Sequence, residues 1–322
     1  MYDSVQAASG GDEGLMLVDA HMHLISRQTV EAYAADRGLG FEEMRRILRG
    51  GPKRPGAAKH NISGENEVPD CTPEAMAGRW LQMLDSAGVA AGVFMSFTPG
   101  CQYTEEVVRH SQGRLFALTS VDPTKTGAAA LVRKDLAAGY KGIKLYPVVR
   151  EFHVNDPAAR EVYEAAREYG VPVVIHFGFS TDPTADLAYG NPIDLNSVAR
   201  DFRDVTFVVA HFGAGYFREV LALGYQLQNV MVDTSGTNNW TRYMPYDLTL
   251  QDVFARSFEA FGAERIIFGT DSGGGPAGYR NHVLETQLEV LRALGLQDQE
   301  TELVLWGNAC RVMKLEIPST RQ

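Results

Sequence analysis

The pattern that most constrains this chain is an alternation. Short apolar runs rich in Val, Ile and Phe recur at 15–24, 89–97, 115–121, 142–146, 173–177, 206–211, 230–234 and 265–269. Between them lie stretches of helical periodicity, at 72–88, 102–111, 126–138, 156–170, 194–202, 216–223, 250–261 and 281–294, with a last one over about 300–314. Thr72-Pro73-Glu74 and Asp156-Pro157 read as helix starts, an N-cap side chain followed by proline in the first turn. Strands that alternate with helices pair in parallel, each helix serving as the crossover. Eight such units predict an α/β fold of the closed (β/α)8 type, a TIM barrel, with an extra C-terminal helix. An open doubly wound sheet is the competing arrangement, but the first strand lacks the glycine-rich turn of a dinucleotide site. Gly273-Gly274-Gly275 follows the last strand without the lysine and spacing of a phosphate loop, and reads as a flexible loop.

A chain of 322 residues suits one barrel domain, here 15–322. The polar stretch 1–14 resembles neither a signal peptide nor a membrane span and is expected to be a disordered tail. Residues 26–70 break the alternation. They form an insertion after strand one, expected to be an irregular loop or lid with a short helix over Glu42 to Leu48. Arg45, Arg46, Arg49 and Lys53 there are candidates to meet an anionic substrate, or merely solvent. The net charge of −10 argues against nucleic acid and anionic membrane as partners. Three scattered cysteines without a Cys-x-x-Cys pair point to reduced thiols and a cytoplasmic protein. The expected partner is a small-molecule substrate, with a homodimer as the default assembly.

Catalytic residues of such barrels sit at the C-terminal ends of the strands. Strand one carries Asp19-Ala20-His21-Met22-His23. Strict alternation puts Leu17, Asp19, His21 and His23 on one face and Met16, Val18, Ala20 and Met22 on the other. Two imidazoles on one face suit a single metal ion. In strand four, Ile143 and Leu145 fit the helix-facing side, which leaves Lys144 inside. Strand five ends at His176, strand six at His211, and strand eight at Gly269-Thr270-Asp271. The other four histidines, His60, His110, His153 and His282, fall in loops or helices. Asp19 either orients a ligand or holds the barrel floor. Asp233 and Ser235 end strand seven, where Asp233 could line the pocket. Arg280 could reach a substrate carboxylate or solvent, and Trp240 and Tyr243 either wall the substrate or simply pack.

This set of residues resembles the amidohydrolase superfamily of metal-dependent barrels. The resemblance rests on Val18-Asp19-Ala20-His21-Met22-His23, His176, His211, Gly269-Thr270-Asp271 and the ending Trp306-Gly307-Asn308-Ala309-Cys310-Arg311. The compact form is similar to the branch that includes the aminocarboxymuconate-semialdehyde decarboxylase-like proteins. The resemblance implies one divalent metal, zinc first and manganese second, held by His21, His23, His176 and Asp271. It implies that His211 binds a second metal, or polarises or deprotonates a substrate. Lys144 would be carbamylated between two metals, structural, or substrate-binding. The implied activity is hydrolysis of an amide, ester or lactone by a metal-activated water, with Asp271 and His211 catalytic. The alternative is a non-oxidative carboxy-lyase acting on a small carboxylic acid. A metal-binding scaffold without turnover is a third reading.

Overall fold

A computed structural model describes residues 16–48, 68–273 and 278–318. The chain begins with β1 (Val18–Met22), then the insertion helices α1 (Arg27–Asp36) and α2 (Phe41–Leu48). α3 (Pro73–Ser86) returns it to β2 (Ala91–Met95), followed by α4 (Gln102–Arg109), β3 (Leu115–Ser120) and α5 (Ala128–Ala137). Next come β4 (Ile143–Leu145), the single turn α6 (Pro147–Arg150), α7 (Pro157–Tyr169) and β5 (Val173–Ile175). α8 (Leu195–Asp201), β6 (Phe207–Val209), α9 (Phe217–Gln226) and β7 (Val230–Asp233) continue the alternation. α10 (Leu250–Phe261), β8 (Ile266–Ile267) and α11 (Asn281–Leu294) complete it. The C-terminal helix is α12 (Asp298–Glu302) and α13 (Asn308–Met313), joined by a π-helical turn over Leu303–Gly307.

All strands pair in parallel and in chain order. The seam between β1 and β8 is closed by three backbone hydrogen bonds. Ala20 N–H donates to Phe268 O at 3.1 Å, Asp271 N–H to His21 O at 2.8 Å, and His23 N–H to Ser272 O at 2.7 Å. The result is the expected (β/α)8 barrel with its extra C-terminal helix. Two apolar layers follow from strand alternation. Val18, Ala20, Val93, Val174, Val208, Met231 and Ile267 fill the barrel together with Val312 and Met313 of α13. Ile143, Leu145, Val173, Ile175, Val230 and Val232 face the surrounding helices. Asn308 ties the C-terminal helix to the last strand, donating to Ala263 O at 2.7 Å and Ile266 O at 2.9 Å.

Two expectations are corrected. Strict alternation fails in β1: Met22 packs in the outer layer with Leu17 and Leu24, opposite Val18 and Ala20. The reason is a shift in register. Asp19 pairs with Gly92 but Met22 with Phe94, so the strand gains a residue and re-aims its end, as a bulge does. Gly92 makes room for this, since a Cβ there would fall 2.0 Å from Met22 Cε. The start of the insertion is also more regular than expected. Ser26 caps α1 reciprocally with Thr29: Thr29 N–H donates to Ser26 Oγ at 3.1 Å, and Ser26 N–H to Thr29 Oγ1 at 2.9 Å. α1 and α2 enclose a small core of Val30, Tyr33, Ala34, Met44 and Ile47. Arg45 pairs with Glu42 on its own helix and Arg46 is exposed. Arg49, Lys53, the tail 1–14 and the glycines Gly274 and Gly275 lie outside the described residues. Among the described residues no helix is long and apolar enough to cross a membrane.

Candidate metal centre

The strand ends deliver their polar residues to one place. His21 is fully buried at the end of β1. Its Nδ1–H donates to Asp233 Oδ2 at 2.7 Å, and its Nε2 is buried with no hydrogen-bond partner. Gly269 lets the last strand close on this ring, because a Cβ there would lie 2.8 Å from His21 Cβ. Burial lowers the His21 imidazole to about 3, with Asp233 pulling the other way, so the ring is neutral and Nε2 carries a lone pair. His23 donates from Nδ1 to Met95 O at 3.1 Å, and its Nε2 lies 3.2 Å from Asp271 Oδ1. A nitrogen and a carboxylate oxygen this close share either a proton or a cation.

Asp271 sits in the left-handed region at φ +59°. Burial would raise its carboxyl, but Arg280, with Nη1 3.0 Å from Oδ2, and His23 hold it well below the usual carboxylate range. His21, His23 and Asp271 each offer one ligand atom, all within 4.8 Å of one another. An orphaned buried imidazole nitrogen, a second imidazole nitrogen and an ionised carboxylate are a fitting donor set for a divalent ion such as zinc or manganese.

His211 lies just past β6, at φ +56°, and Phe212 after it at φ +52°. Non-glycine residues seldom adopt this conformation, and where they do it tends to mark a functional site. The His211 N–H donates to Asp233 Oδ1 at 2.9 Å, and its ring Nδ1–H to Ser235 O at 3.1 Å. Its ring centroid is 4.8 Å from that of His21, and His21, His211 and Asp233 form a second close group of ligand atoms. Burial lowers the His211 imidazole, with Asp271 and Asp233 opposing, so Nε2 is again an acceptor.

The structure brings His176 beside His211, ring centroids 5.0 Å apart, but not into either close group of ligand atoms. Its Nε2 instead meets Phe179 O at 3.1 Å. Lys144 points inward as expected, fully buried between Ile143 and Leu145, with Nζ unpartnered and 5.1 Å from the Tyr146 ring centre. Burial lowers its ammonium from 10.5 to about 8, with Asp233 and Asp271 holding it up. Arg280 is committed to Asp271 rather than to solvent. Trp240 is buried packing, its Nε1–H donating to Asn238 Oδ1, whereas Tyr243 is exposed and edge-on to Phe179.

The hub of the site is Asp233, which the sequence marks only as a carboxylate ending a strand. Burial would raise its carboxyl, yet His21 and its hydrogen bond, with His211 and Lys144 nearby, hold it far below its ordinary range; it also accepts from the N–H groups of His211 and Ser235. One carboxylate thus fixes the tautomer of His21 and the backbone of His211 together. Asp19 accepts from the N–H groups of His21 and Thr270 at 3.1 and 3.0 Å and from Tyr279 Oη at 2.8 Å. It therefore stitches β1 to the end of β8, and burial raises its carboxyl to about 6.

Across residues 18–315 the chain matches the family model described as amidohydrolase. It belongs to the amidohydrolase family. Several solved structures share this amidohydrolase's fold. A 5-carboxyvanillate decarboxylase from Novosphingobium aromaticivorans, complexed with manganese, is 13% identical at a TM-score of 0.64, covering 95% of this chain and 98% of that one. A Pseudomonas putida protein provisionally assigned as a 2-pyrone-4,6-dicarboxylic acid hydrolase is 17% identical at a TM-score of 0.59, covering 95% and 100%. An amidohydrolase from Burkholderia multivorans with bound zinc is 16% identical at a TM-score of 0.59, covering 94% and 100%. Comparison with curated proteins gives no match. The chain is an enzyme of this family, and its relatives in fold include both a decarboxylase and proteins of the hydrolase type.

Proposed function

We propose that this amidohydrolase is a metal-dependent hydrolase that cleaves an amide, ester or lactone of a small molecule. The observation that carries the reading is the convergence of His21, His23 and Asp271, with a buried, unpartnered His21 Nε2 among them. These residues would hold one divalent ion, zinc first and manganese second, with His176 as a further ligand once its ring leaves Phe179 O. Such an ion polarises a carbonyl and lowers the pKa of water. The chain's own residues supply the proton traffic. Asp271, kept ionised, accepts a proton from the attacking water. His211 holds its proton at Nδ1, so its Nε2 can receive the proton that Asp271 took and hand it to the leaving group, which returns Asp271 to its ionised form. A second ion at His211 would engage that same nitrogen.

A carboxy-lyase is the second reading, supported by Lys144. An unpartnered buried ammonium at the active end of the barrel suits a substrate that brings a carboxylate. In both readings the partner is a small molecule and the assembly a homodimer. The three described cysteines are unpaired, which suits a reducing cytoplasm.

The test is a turnover of a panel of lactones, esters, amides and aromatic or unsaturated acids in ¹⁸O-water. Incorporation of one ¹⁸O into product without carbon dioxide supports hydrolysis. Carbon dioxide release with no label in the remaining acid supports the lyase and refutes the main reading.

A further inference from the structure

Three aromatic rings run from the insertion to the metal centre. Tyr33 of α1 stacks on Phe97 with centroids 4.9 Å apart and planes 18° apart. Phe97 in turn stacks on His23 at 4.9 Å and 8°. Tyr33 is itself gripped, with the guanidinium of Arg37 5.6 Å and that of Arg150 5.4 Å from its ring centre. Arg150 also pairs with Asp36 of the same helix and donates to Phe97 O at 3.1 Å. Arg37 anchors α1 to the loop after β5 through Asp182 at 2.8 Å.

We infer that Phe97 is a positioning residue for His23, braced from behind by Tyr33 of the insertion. The second side-chain torsion of histidine is broad, so a single hydrogen bond does not fix the ring plane. At His23 the bond from Nδ1 to Met95 O fixes one edge, and the Phe97 face fixes the plane. Together they aim Nε2 at Asp271 Oδ1. Tyr33 stacks on Phe97 in turn, so the phenyl ring cannot swing away without disturbing α1. Through these rings α1 of the insertion becomes part of the support of the metal centre. The inference rests on the metal reading of His21, His23 and Asp271 given above.

The experiment strips the full-length protein of metal and titrates it with zinc alone, then manganese alone, against a chromophoric chelator. Phe97→Leu is expected to weaken binding about tenfold, the size of effect seen when support for a metal-binding histidine is lost. Tyr33→Leu, one ring further out and on another element, is expected to weaken it by about threefold, a typical worth for an aromatic pair. It stands in should Phe97→Leu not fold. Phe97→Tyr keeps the stacking face and is expected to bind as the parent does. A urea midpoint measured on each metal-free variant separates support of the fold from support of the ligand. Lowered midpoints with parental metal affinity in both leucine variants overturn the inference while leaving the metal reading intact. A parent that takes up neither metal overturns the metal reading, and the inference with it.

Discussion

Each buried imidazole at this centre has one nitrogen committed: His21 Nδ1 to Asp233, His23 Nδ1 to Met95 O, and His211 Nδ1 to Ser235 O. The partner of one nitrogen decides whether the other can bind a cation. Asp233→Ala is therefore expected to lower metal affinity about 10- to 100-fold, and Asp233→Asn by less, because its side-chain oxygen can still accept from His21. Chelator competition reads the difference, and an alanine variant with parental affinity would remove Asp233 from the site. Lys144 offers a prediction of opposite sign. A fully buried, unpartnered ammonium destabilises the fold, so Lys144→Met is expected to stabilise the metal-free protein at pH 7. The gain is on the order of 3 kcal/mol, since a fall from 10.5 to about 8 corresponds to about 1.4 kcal/mol per pH unit. Between about 8 and 10.5 the unfolded chain binds a proton at Lys144 that the folded chain has lost, so the parent gains stability as pH rises through that window. Urea midpoints at pH 7 and pH 10.5 should show the variant's advantage shrinking. An advantage that persists unchanged would contradict burial as the cause. A residue that weakens the fold while facing the active end is the pattern of a group kept for function.

At the scale of the element, α1 shows why some structure was legible in the sequence and some was not. The helix over Asn281–Leu294 is bounded as its periodicity predicts. α1 is not, because its capping box uses Thr29 where Glu or Gln usually stands, and its apolar stripe is brief. Its stability therefore leans on the cap. Ser26→Ala is expected to lower stability by about 1 kcal/mol, measured by urea unfolding, with faster amide exchange confined to α1 and α2. Loss of protection spread evenly over the barrel would show that α1 does not open as a unit. The strand-end histidines and Asp271 were legible because such side chains seldom end buried strands by chance. The bulge in β1 was not, since it depends on how Asp19 and Met22 pair with β2. The role of Asp233 was equally hidden, because its partner His21 is 212 residues away in sequence. The same holds for Phe97, whose meaning comes only from the rings stacked on it.

For the whole molecule, the decisive feature is where the donor set falls. His21 and His23 end the first strand and Asp271 follows the last, so a bound ion would bridge the seam that closes the barrel. That seam is the thinnest join in the sheet. β8 spans only Ile266–Ile267, and three backbone hydrogen bonds with the Asp19 network hold it to β1. A ligand that binds only the folded state stabilises it by mass action, about 2.7 kcal/mol at a free concentration of one hundred times Kd. For a chain of 322 residues that corresponds to a rise in Tm of roughly 4 °C, given the usual unfolding entropy per residue. Zinc or manganese is therefore expected to raise Tm by a few degrees, and a chelator to reverse it. Location distinguishes a staple at the seam from general tightening. In the metal-free protein the amides of His23 and Asp271 should exchange faster than those of β4, β5 and β6, and added metal should slow them most. Protection gained instead across β4 to β6, with the seam unchanged, would place the ion elsewhere and break the link between the donor set and barrel closure.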